Sequence, residues 1–365
     1  MKKIKLIYSA IVLLAFITAG CSKDGIDSDL SFVGTAASAN YSKIFNISDD
    51  NSGNVKITPL GEGVTSFLVD FGNSNGGPGS ATVAPGANAT HSYPEGTYTV
   101  SITAYDIAGK ATTTTYPLTV TYRAPENLLI NTSGDMQVSA TALYANSFSV
   151  YYGDVANETP TPMAVGQTLP AHIYPAGGPY DLKVVANSGG AATTTGTKTL
   201  FGLPLSFESP TMDYFFGTFG NVNFSKVANP APGGLNTSAT VGKYEKPTGA
   251  ETWSGTYSPL NIPMNFAQGR KIKVLLYNPD PANIGKMLNI ELEAAIAGTG
   301  ATANGVGVIK QPITTSGAWE ELTFDYNTIP AIGASARFGQ LVLRFNDVAQ
   351  GTGEVIYLDN FRITN

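Results

Sequence analysis

The sequence contains one cysteine, two histidines and two tryptophans in 365 residues. A single cysteine cannot form a disulfide within the chain, so the folded parts must be stabilised by their hydrophobic cores. Only 13% of the residues are charged, and acidic residues outnumber basic ones by 27 to 21. Because there is no basic excess to neutralise a phosphate backbone, we do not expect nucleic acid as a partner.

Long apolar runs are also scarce, and the clearest one is at the start of the chain. There, "MKKIKLIYSAIVLLAFITAG" combines three lysines with a short apolar run, which is the pattern of an export signal. The run is shorter than the roughly 20 residues that a transmembrane helix needs. We therefore assign residues 1–20 to a signal peptide and the short acidic stretch 21–31 to a tether.

The single cysteine follows this segment directly. The small residues in "ITAGCS" resemble a bacterial lipobox, in which the chain is cleaved before the cysteine, here Cys21, and the thiol is lipid-modified. The resemblance implies an outer-membrane lipoprotein that faces the cell exterior, and the acidic tether is similar to the surface-export signals of Bacteroidetes lipoproteins. The alternative is an ordinary secretory signal followed by an unrelated cysteine.

The residues that are abundant indicate β-structure. The chain has 40 Gly, 22 Pro, 18 Tyr and 17 Phe, a composition typical of strands joined by tight turns. No convincing amphipathic helix is visible. At this length we expect several β domains and not a single one.

An internal repeat organises the first half of the chain. Gly72 in "VDFGNSNGGP" and Gly153 in "VYYGDVANETP" are 81 positions apart, and so are His91 and His172. Two pairs of identical residues with the same separation predict a duplicated domain. Because each histidine precedes a Tyr-Pro turn in its own copy, we interpret both as structural and not as parts of one catalytic or metal site.

The strand lengths and turns predict small β-sandwiches at 32–123 and 124–203. The first copy resembles a PKD-type (polycystic kidney disease) immunoglobulin-like domain in "VDFGN", "SYPEGTYTVSITAYDIAG" and "LTVTY". Val69 occupies a position where that family usually has tryptophan, and the second copy retains only "YYGD" and "YPAGGPYDLKV". The resemblance implies two sandwiches that act as a spacer.

Residues 204–365 have a different pattern and contain both tryptophans. Alternating segments such as "KIKVLLYN", "MLNIELEAAI" and "GQLVLRFND" predict a jelly-roll sandwich, with Trp319 sealing one edge of it. The predicted fold class is therefore all-β, with two tandem immunoglobulin-like sandwiches followed by a jelly roll. The order of "SFES", "NPAPGGLNTSATVGKYEK", "GAETWSGTY" and "YLDNFRI" resembles Bacteroidetes carbohydrate-binding jelly rolls.

This resemblance implies a cell-surface lipoprotein without catalytic activity that captures polysaccharide for a polysaccharide-utilisation system. A β-glucan such as laminarin is the first ligand to test, and a TonB-dependent transporter and a starch-utilisation-type binding lipoprotein are the expected partners. Two alternatives remain open, a structural adhesin that binds a protein and a glycoside hydrolase. For the hydrolase, Glu291 and Glu293 lie two residues apart on one strand face, but no supporting motif accompanies them.

The same resemblance implies a structural Ca²⁺ held by Glu208, in the first strand's "FE", and by Asp359 on the last strand. Carboxylate oxygens are the hard ligands that calcium prefers. The alternative is that Glu208 is a solvated acid at a strand end and that Asp359 caps a turn.

Sugar binding requires a flat aromatic ring for the C–H face of the sugar and polar neighbours for its hydroxyls. Strand alternation places Trp253, Tyr257 and Glu251 on one face, and leaves open whether Trp253 is an exposed platform or part of the core. Further candidates are Tyr244 and Lys246 on the preceding strand. If the aromatic segment 212–224 is a loop, its aromatics cannot all be buried, and some of them are secondary candidates: Tyr214 and Phe216 first, with Phe215 and Phe219. The alternative is that this segment is a strand with a Gly bulge.

Overall fold

The computed structural model describes residues 31–35, 37–73, 77–175, 177–210, 212, 214–301 and 307–365, so Cys21 lies outside the described residues. These residues contain one short helix, α1 (Ser31–Thr35), and 23 strands, which confirms the all-β prediction. Within the described part of the chain, no helix has the length and apolar character needed to cross a membrane. The chain forms two compact units, which divide between Tyr122 and Arg123.

The first unit is a seven-stranded sandwich. Its two sheets have the strand orders β1–β2–β5 and β4–β3–β6–β7. Alternate residues, such as Val55 and Ile57 on one sheet and Val100 and Ile102 on the other, form the core between them. The strands are β1 (Ala39–Ile47), β2 (Asn54–Glu62), β3 (Val64–Asp70), β4 (Ser80–Val83), β5 (Ala89–Ser92), β6 (Gly96–Asp106) and β7 (Ala111–Val120).

The second unit begins with a sandwich of similar layout, in which one sheet has two strands where the first sandwich has three. A two-stranded sheet, β8–β9, accompanies a four-stranded sheet in the order β11–β10–β12–β13. β4 begins at Ser80 and β11 at Thr161, so the offset of the sequence repeat is also the offset of these strands. The strands are β8 (Glu126–Thr132), β9 (Val138–Leu143), β10 (Ser147–Tyr151), β11 (Thr161–Ala164), β12 (Tyr180–Asn187) and β13 (Thr193–Leu200).

Both histidines lie in equivalent aromatic corners. The His91 ring stacks on Phe71 with centroids 4.3 Å apart, and the Tyr93 hydroxyl donates to the Phe71 carbonyl at 3.1 Å. The second sandwich repeats these contacts with Tyr152, His172 and Tyr174. Ring packing therefore accounts for the position of His91, and ring packing together with a 2.8 Å contact to Asp154 Oδ2 accounts for that of His172.

The remainder of the second unit is a ten-stranded jelly roll. We call β14–β17–β22–β19–β20 the front sheet and β15–β16–β23–β18–β21 the back sheet. Single 3₁₀ turns follow β17, β18 and β21. The strands are β14 (Gly217–Phe219), β15 (Asn223–Ala228), β16 (Thr240–Lys246), β17 (Gly255–Asn265), β18 (Lys271–Tyr277), β19 (Met287–Ala295), β20 (Gly307–Pro312), β21 (Trp319–Asp325), β22 (Arg337–Phe345) and β23 (Glu354–Thr364).

One hydrophobic core fills the space between the front and back sheets. It includes Phe207, Phe324, Phe345 and Phe361, all of them fully buried. Trp319 lies on the other side of the back sheet, where a small second cluster covers it and its indole N–H donates to the Ala231 carbonyl at 2.9 Å. Trp319 is thus buried, as expected of a structural residue, but it covers the outer side of the back sheet and is not part of the core between the two sheets.

The jelly roll and the second sandwich are joined by side-chain contacts. Ile262 of β17 belongs to the hydrophobic core of the second sandwich. Arg337 Nη2 lies 2.9 Å from Asp135 Oδ2, and Gln268 Nε2 donates to the Tyr174 carbonyl at 3.3 Å. Apolar burial and hydrogen bonding together explain why these two sandwiches form one compact unit.

Candidate functional site

The outer face of the front sheet carries polar side chains at its centre. On β19, Leu288, Ile290 and Leu292 point into the core. Because side chains alternate along a strand, Asn289, Glu291 and Glu293 point to the opposite, outer face. The two glutamates therefore share a face.

Cross-strand pairing aligns these residues with aromatic side chains at the β14–β17 edge. Tyr257 pairs with Gly217 on one side and with Val342 on the other, and Val342 pairs with Glu291. Two residues further along each strand, the residues that lie side by side across the sheet are Phe219, Gly255, Arg344, Asn289 and Lys310. The face thus changes from aromatic at one edge to polar across the other strands.

Two glycines allow the rings to lie close against the sheet. A Cβ on Gly217 would lie 2.5 Å from the Tyr257 ring, and a Cβ on Gly255 would lie 2.6 Å from both Phe219 Cζ and the Leu343 carbonyl oxygen. Any other residue would push these rings away from the backbone, since glycine alone permits such a close approach. The glycine positions are therefore part of how the rings are oriented.

Trp253 is exposed and is not part of the core. Its relative exposure is 53%, and it lies in a turn before β17, where the Ser254 N–H donates to the Glu251 carbonyl at 3.1 Å. Its ring is parallel to that of Phe219, with 6.2 Å between centroids. Phe215, 50% exposed, contacts Tyr257 edge-on at 6.0 Å. We call Phe215, Phe219, Trp253 and Tyr257, with the polar residues beside them, the aromatic face.

Arg344 connects the aromatic edge to the acidic centre of the face. Its Nη1 donates to the Trp253 carbonyl at 3.2 Å, and its Nε lies 2.9 Å from Glu291 Oε1. Its guanidinium carbon lies 5.4 Å from the centroid of the Phe219 ring, within cation–π range. Burial raises the pKa of Glu291, and the charge of Arg344 opposes this shift.

Two further polar pairs border the face. Gln340 Nε2 donates to Glu293 Oε2 at 2.5 Å, and Lys310 Nζ lies 2.6 Å from Asp347 Oδ2. Glu251 is exposed in the same turn as Trp253. Hydroxyl groups of a ligand would therefore meet carboxylate and amide oxygens as acceptors, and amide and guanidinium N–H groups as donors.

The predictions for Tyr244 and Lys246 as ligand contacts are wrong. Both side chains are fully buried, because alternate residues of β16 point into the core. The Tyr244 ring contacts Phe345 edge-on at 6.4 Å. The Lys246 ammonium donates to three carbonyls, those of Phe345 at 3.2 Å, Asn346 at 2.7 Å and Ala349 at 2.8 Å. Neither side chain reaches the aromatic face.

Of the four aromatic candidates in segment 212–224, the two put first, Tyr214 and Phe216, do not reach the aromatic face. Tyr214 and Phe216 pack against the core, and Phe216 stacks on Phe224 with centroids 4.1 Å apart. The residues of this segment that reach the aromatic face are Phe215 and Phe219. Sequence reasoning missed Arg344, whose role depends on the pairing of strands that are distant in the chain.

The two calcium candidates lie close enough to interact electrostatically. Asp359 is fully buried; burial raises its pKa, and the negative charge of Glu208 adds to this effect. The Glu208 carboxylate accepts from the backbone N–H groups of Ala239 at 3.2 Å and Thr240 at 2.7 Å, while Asp359 Oδ2 accepts from Asn236 Nδ2 at 2.9 Å.

Carboxylate oxygens are ligands that hard cations prefer. Among the described residues, no basic side chain forms an ion pair with Asp359, whereas the slight desolvation of Glu208 is outweighed by hydrogen bonds from Thr240 and Ala239 and by the charge of Lys226, which lower its pKa. The described residues include no group of three or more His, Cys, Asp or Glu side chains that could hold a metal. The other ligands of a Ca²⁺ would therefore be carbonyl, hydroxyl, amide or water oxygens.

No family model matches the chain, and no curated protein sequence matches it. Several solved β-sandwich structures are similar. One contains carbohydrate-binding modules of the β-sandwich superfamily (13% identity, 90% of this chain and 99% of that chain, TM-score 0.29). Another is SGBP-B from a complex xyloglucan utilization locus in Bacteroides uniformis (11%, 90% and 100%, TM-score 0.31).

A third is the family 11 carbohydrate-binding module from Clostridium thermocellum in complex with a β-1,3-1,4-mixed-linked tetrasaccharide (12% identity, 42% of this chain and 96% of that chain, TM-score 0.29). Likeness at these values does not assign a function, so the functional argument depends on the residues of this chain.

Proposed function

We propose that the chain binds a polysaccharide on the aromatic face and does not hydrolyse it. The observation that carries this proposal is the placement of four aromatic side chains on one sheet face, with Trp253 and Phe215 at least half exposed. Contiguous exposed apolar groups of this kind mark binding surfaces. Rings bordered by hydrogen-bonding groups match a sugar, which has an apolar C–H face and a rim of hydroxyls.

The polar contacts favour binding over hydrolysis. A glycosidase requires one protonated carboxyl group and a second, ionised one placed to act as a base or nucleophile. Burial raises the pKa of Glu291, as a glycosidase acid would require, but its carboxylate is held 2.9 Å from Arg344 Nε, and Glu293 accepts from Gln340. Both carboxylates are therefore engaged by neighbouring side chains of the protein, and the face is better suited to holding a chain than to cleaving it.

The cellular setting of the proposal comes from the sequence. The lipobox-like "ITAGCS" supports anchoring in the outer membrane through Cys21, with the module facing the exterior. The first two sandwiches would hold the jelly roll away from the membrane. A TonB-dependent transporter and a starch-utilisation-type binding lipoprotein would receive the glycan, and a β-glucan such as laminarin is the first ligand to test.

We also propose that Glu208 and Asp359 hold a structural Ca²⁺. This proposal is supported by the electrostatic interaction between the two carboxylates and by the full burial of Asp359. The ion would stabilise the folded jelly roll and would take no part in chemistry. Calcium should raise the melting temperature of the wild type but not that of Asp359→Asn, and an equal response of both would contradict the site.

The test of glycan binding is calorimetric titration of the full chain with laminarin, mixed-linkage β-glucan and an α-glucan. We expect heat of binding with at least one of them and no new reducing ends over time. Trp253→Ala should weaken this binding by about tenfold, since the loss of one stacked aromatic and its buried area amounts to roughly 1–2 kcal/mol. Tyr151→Ala, which removes an aromatic from the second sandwich, is the control and should bind like the wild type.

Each other outcome supports a different reading. New reducing ends would favour the hydrolase alternative. The absence of heat with every glycan would contradict the proposal and favour a protein-binding adhesin.

A further inference from the structure

Both basic side chains on the aromatic face are already paired with acids. Arg344 is held at 2.9 Å by Glu291 and also donates to the Trp253 carbonyl at 3.2 Å. Lys310 lies 2.6 Å from Asp347. A carboxylate or sulfate on a ligand that approached one of these cations would therefore meet the protein's own carboxylate beside it and would be repelled by that charge.

Acidic groups also outnumber basic ones on this face. Among the described residues, four carboxylates, those of Glu251, Glu291, Glu293 and Asp347, lie on or beside it together with two basic groups. A ligand that carries negative charge would lose hydration on binding and would meet a surface of the same sign, which costs free energy.

An uncharged sugar has neither problem. Its hydroxyls can donate to the oxygens of Glu291 and Glu293 without breaking the ion pair. They can also accept from the N–H groups of Arg344 and Gln340 that the pairs leave free, because a guanidinium has five N–H donors and an amide has two. The aromatic rings provide the apolar part of the contact for charged and uncharged sugars alike.

Resting on the proposed function, we propose that the Glu291–Arg344 pair acts as a charge filter that makes the face specific for uncharged polysaccharides and excludes uronate-containing and sulfated chains. Glu291 is then the specificity-determining residue. With its charge removed, Arg344 would be free to bind a ligand carboxylate with two parallel hydrogen bonds, the geometry that favours guanidinium–carboxylate recognition.

The experiment uses the glycan panel of the calorimetric test, which consists of laminarin, mixed-linkage β-glucan and an α-glucan. It compares each glycan with the same polysaccharide after oxidation of its C6 hydroxymethyl groups to carboxylates. The full-length wild type should bind the uncharged form at least tenfold more tightly than the oxidised form. Glu291→Gln should reduce this ratio to near one or invert it. Glu321→Gln, which removes the same charge from the back sheet beside Lys273, should keep the wild-type ratio.

Added salt provides a second readout, because screening weakens repulsion between exposed charges. Raising the ionic strength should reduce the wild-type ratio and should leave the affinity for the uncharged form nearly constant. Glu293→Gln offers a second substitution on the same face in case Glu291→Gln does not fold, and it should also reduce the ratio.

The outcomes separate this proposal from the one it rests on. Wild-type binding of the oxidised form that equals or exceeds binding of the uncharged form would overturn the charge filter and leave glycan binding intact. An unchanged ratio in both glutamine variants would also overturn it. Failure of both forms to bind would overturn glycan binding itself, and the filter with it.

Discussion

Replacement of Lys246 by methionine tests whether this lysine is a structural cation inside the jelly roll. The change keeps an unbranched apolar side chain that reaches the position of the lysine Cε and removes the ammonium group, so it leaves the carbonyls of Phe345, Asn346 and Ala349 without this donor. Because these carbonyls belong to the end of β22 and the loop that follows it, the variant should weaken the packing of that loop.

The magnitude follows from the three hydrogen bonds. Each bond from a charged donor contributes about 1.5–3 kcal/mol, so the gross loss is roughly 5–9 kcal/mol. The folded variant no longer has to desolvate an ammonium group, and this offsets several kcal/mol of the loss. We therefore expect the free energy of unfolding of the jelly roll to fall by about 3 kcal/mol.

Tryptophan fluorescence during urea unfolding measures this change in the full chain, because both tryptophans, Trp253 and Trp319, lie in the jelly roll. The control is Lys243→Met on the same strand, where the ammonium is partly exposed and paired with Glu245. A surface pair of this kind contributes about 0–1 kcal/mol. If the Lys246 variant lost no more stability than the Lys243 variant, the structural role of Lys246 would be refuted.

Two further predictions concern acid stability and the orientation of the aromatic rings. Burial by itself raises the pKa of Glu354, but hydrogen bonds from the Thr352 N–H, Lys286 and Asn346 outweigh it and lower the pKa to about 2. Because the folded pKa lies below the unfolded one, this stabilisation is complete above about pH 4.5 and is lost as the pH falls toward 2. On the order of 3 kcal/mol should disappear in that window, and urea unfolding of Glu354→Gln should lack this part of the pH dependence. Gly217→Ala, whose added Cβ would have Tyr257 side-chain atoms as its nearest contacts, should push the Tyr257 ring off the sheet and weaken glycan binding severalfold in titrations; unchanged affinity would contradict the role given to this glycine.

The fold could be predicted largely from the sequence because its signals are local. Strands alternate with period two, and the repeat is visible where the backbone restricts the residue type. Gly72 and Gly153 both have positive φ, +69° and +79°, and a Cβ there would lie 2.2 Å from the Thr99 carbonyl oxygen and 2.6 Å from that of Asp181. Only glycine fits both restrictions, so the two copies retain it at the same offset.

The site could be predicted only in part, because it depends on where strands begin and how they pair. β17 begins at Gly255, so Trp253 lies in a turn and alternation along the strand does not determine its direction. The prediction that Tyr244 and Lys246 point outward is wrong because the sequence of β16 does not indicate which of its two faces packs against the core. Glycines next to aromatics, as at Gly217, were the available signal for the face itself.

The residues that complete the aromatic face come from distant parts of the chain. Glu291 and Arg344 lie on β19 and β22, whereas Trp253 precedes β17. Their meeting depends on the strand order and register of the front sheet, which one sequence does not reveal. Arg344 therefore could not be recognised before the pairing was known.

The most direct test of glycan binding on the aromatic face uses Trp253 as its own reporter. Trp319→Phe leaves Trp253 as the single tryptophan, and its 53% exposure predicts emission typical of a solvated indole that a soluble quencher can reach. On titration with the glycan panel, the emission of Trp253 should shift to shorter wavelength and its quenching should decrease, with saturation at the concentration found by calorimetry. A glycan that binds by calorimetry without changing this emission, or a panel in which no glycan changes it, would contradict the account.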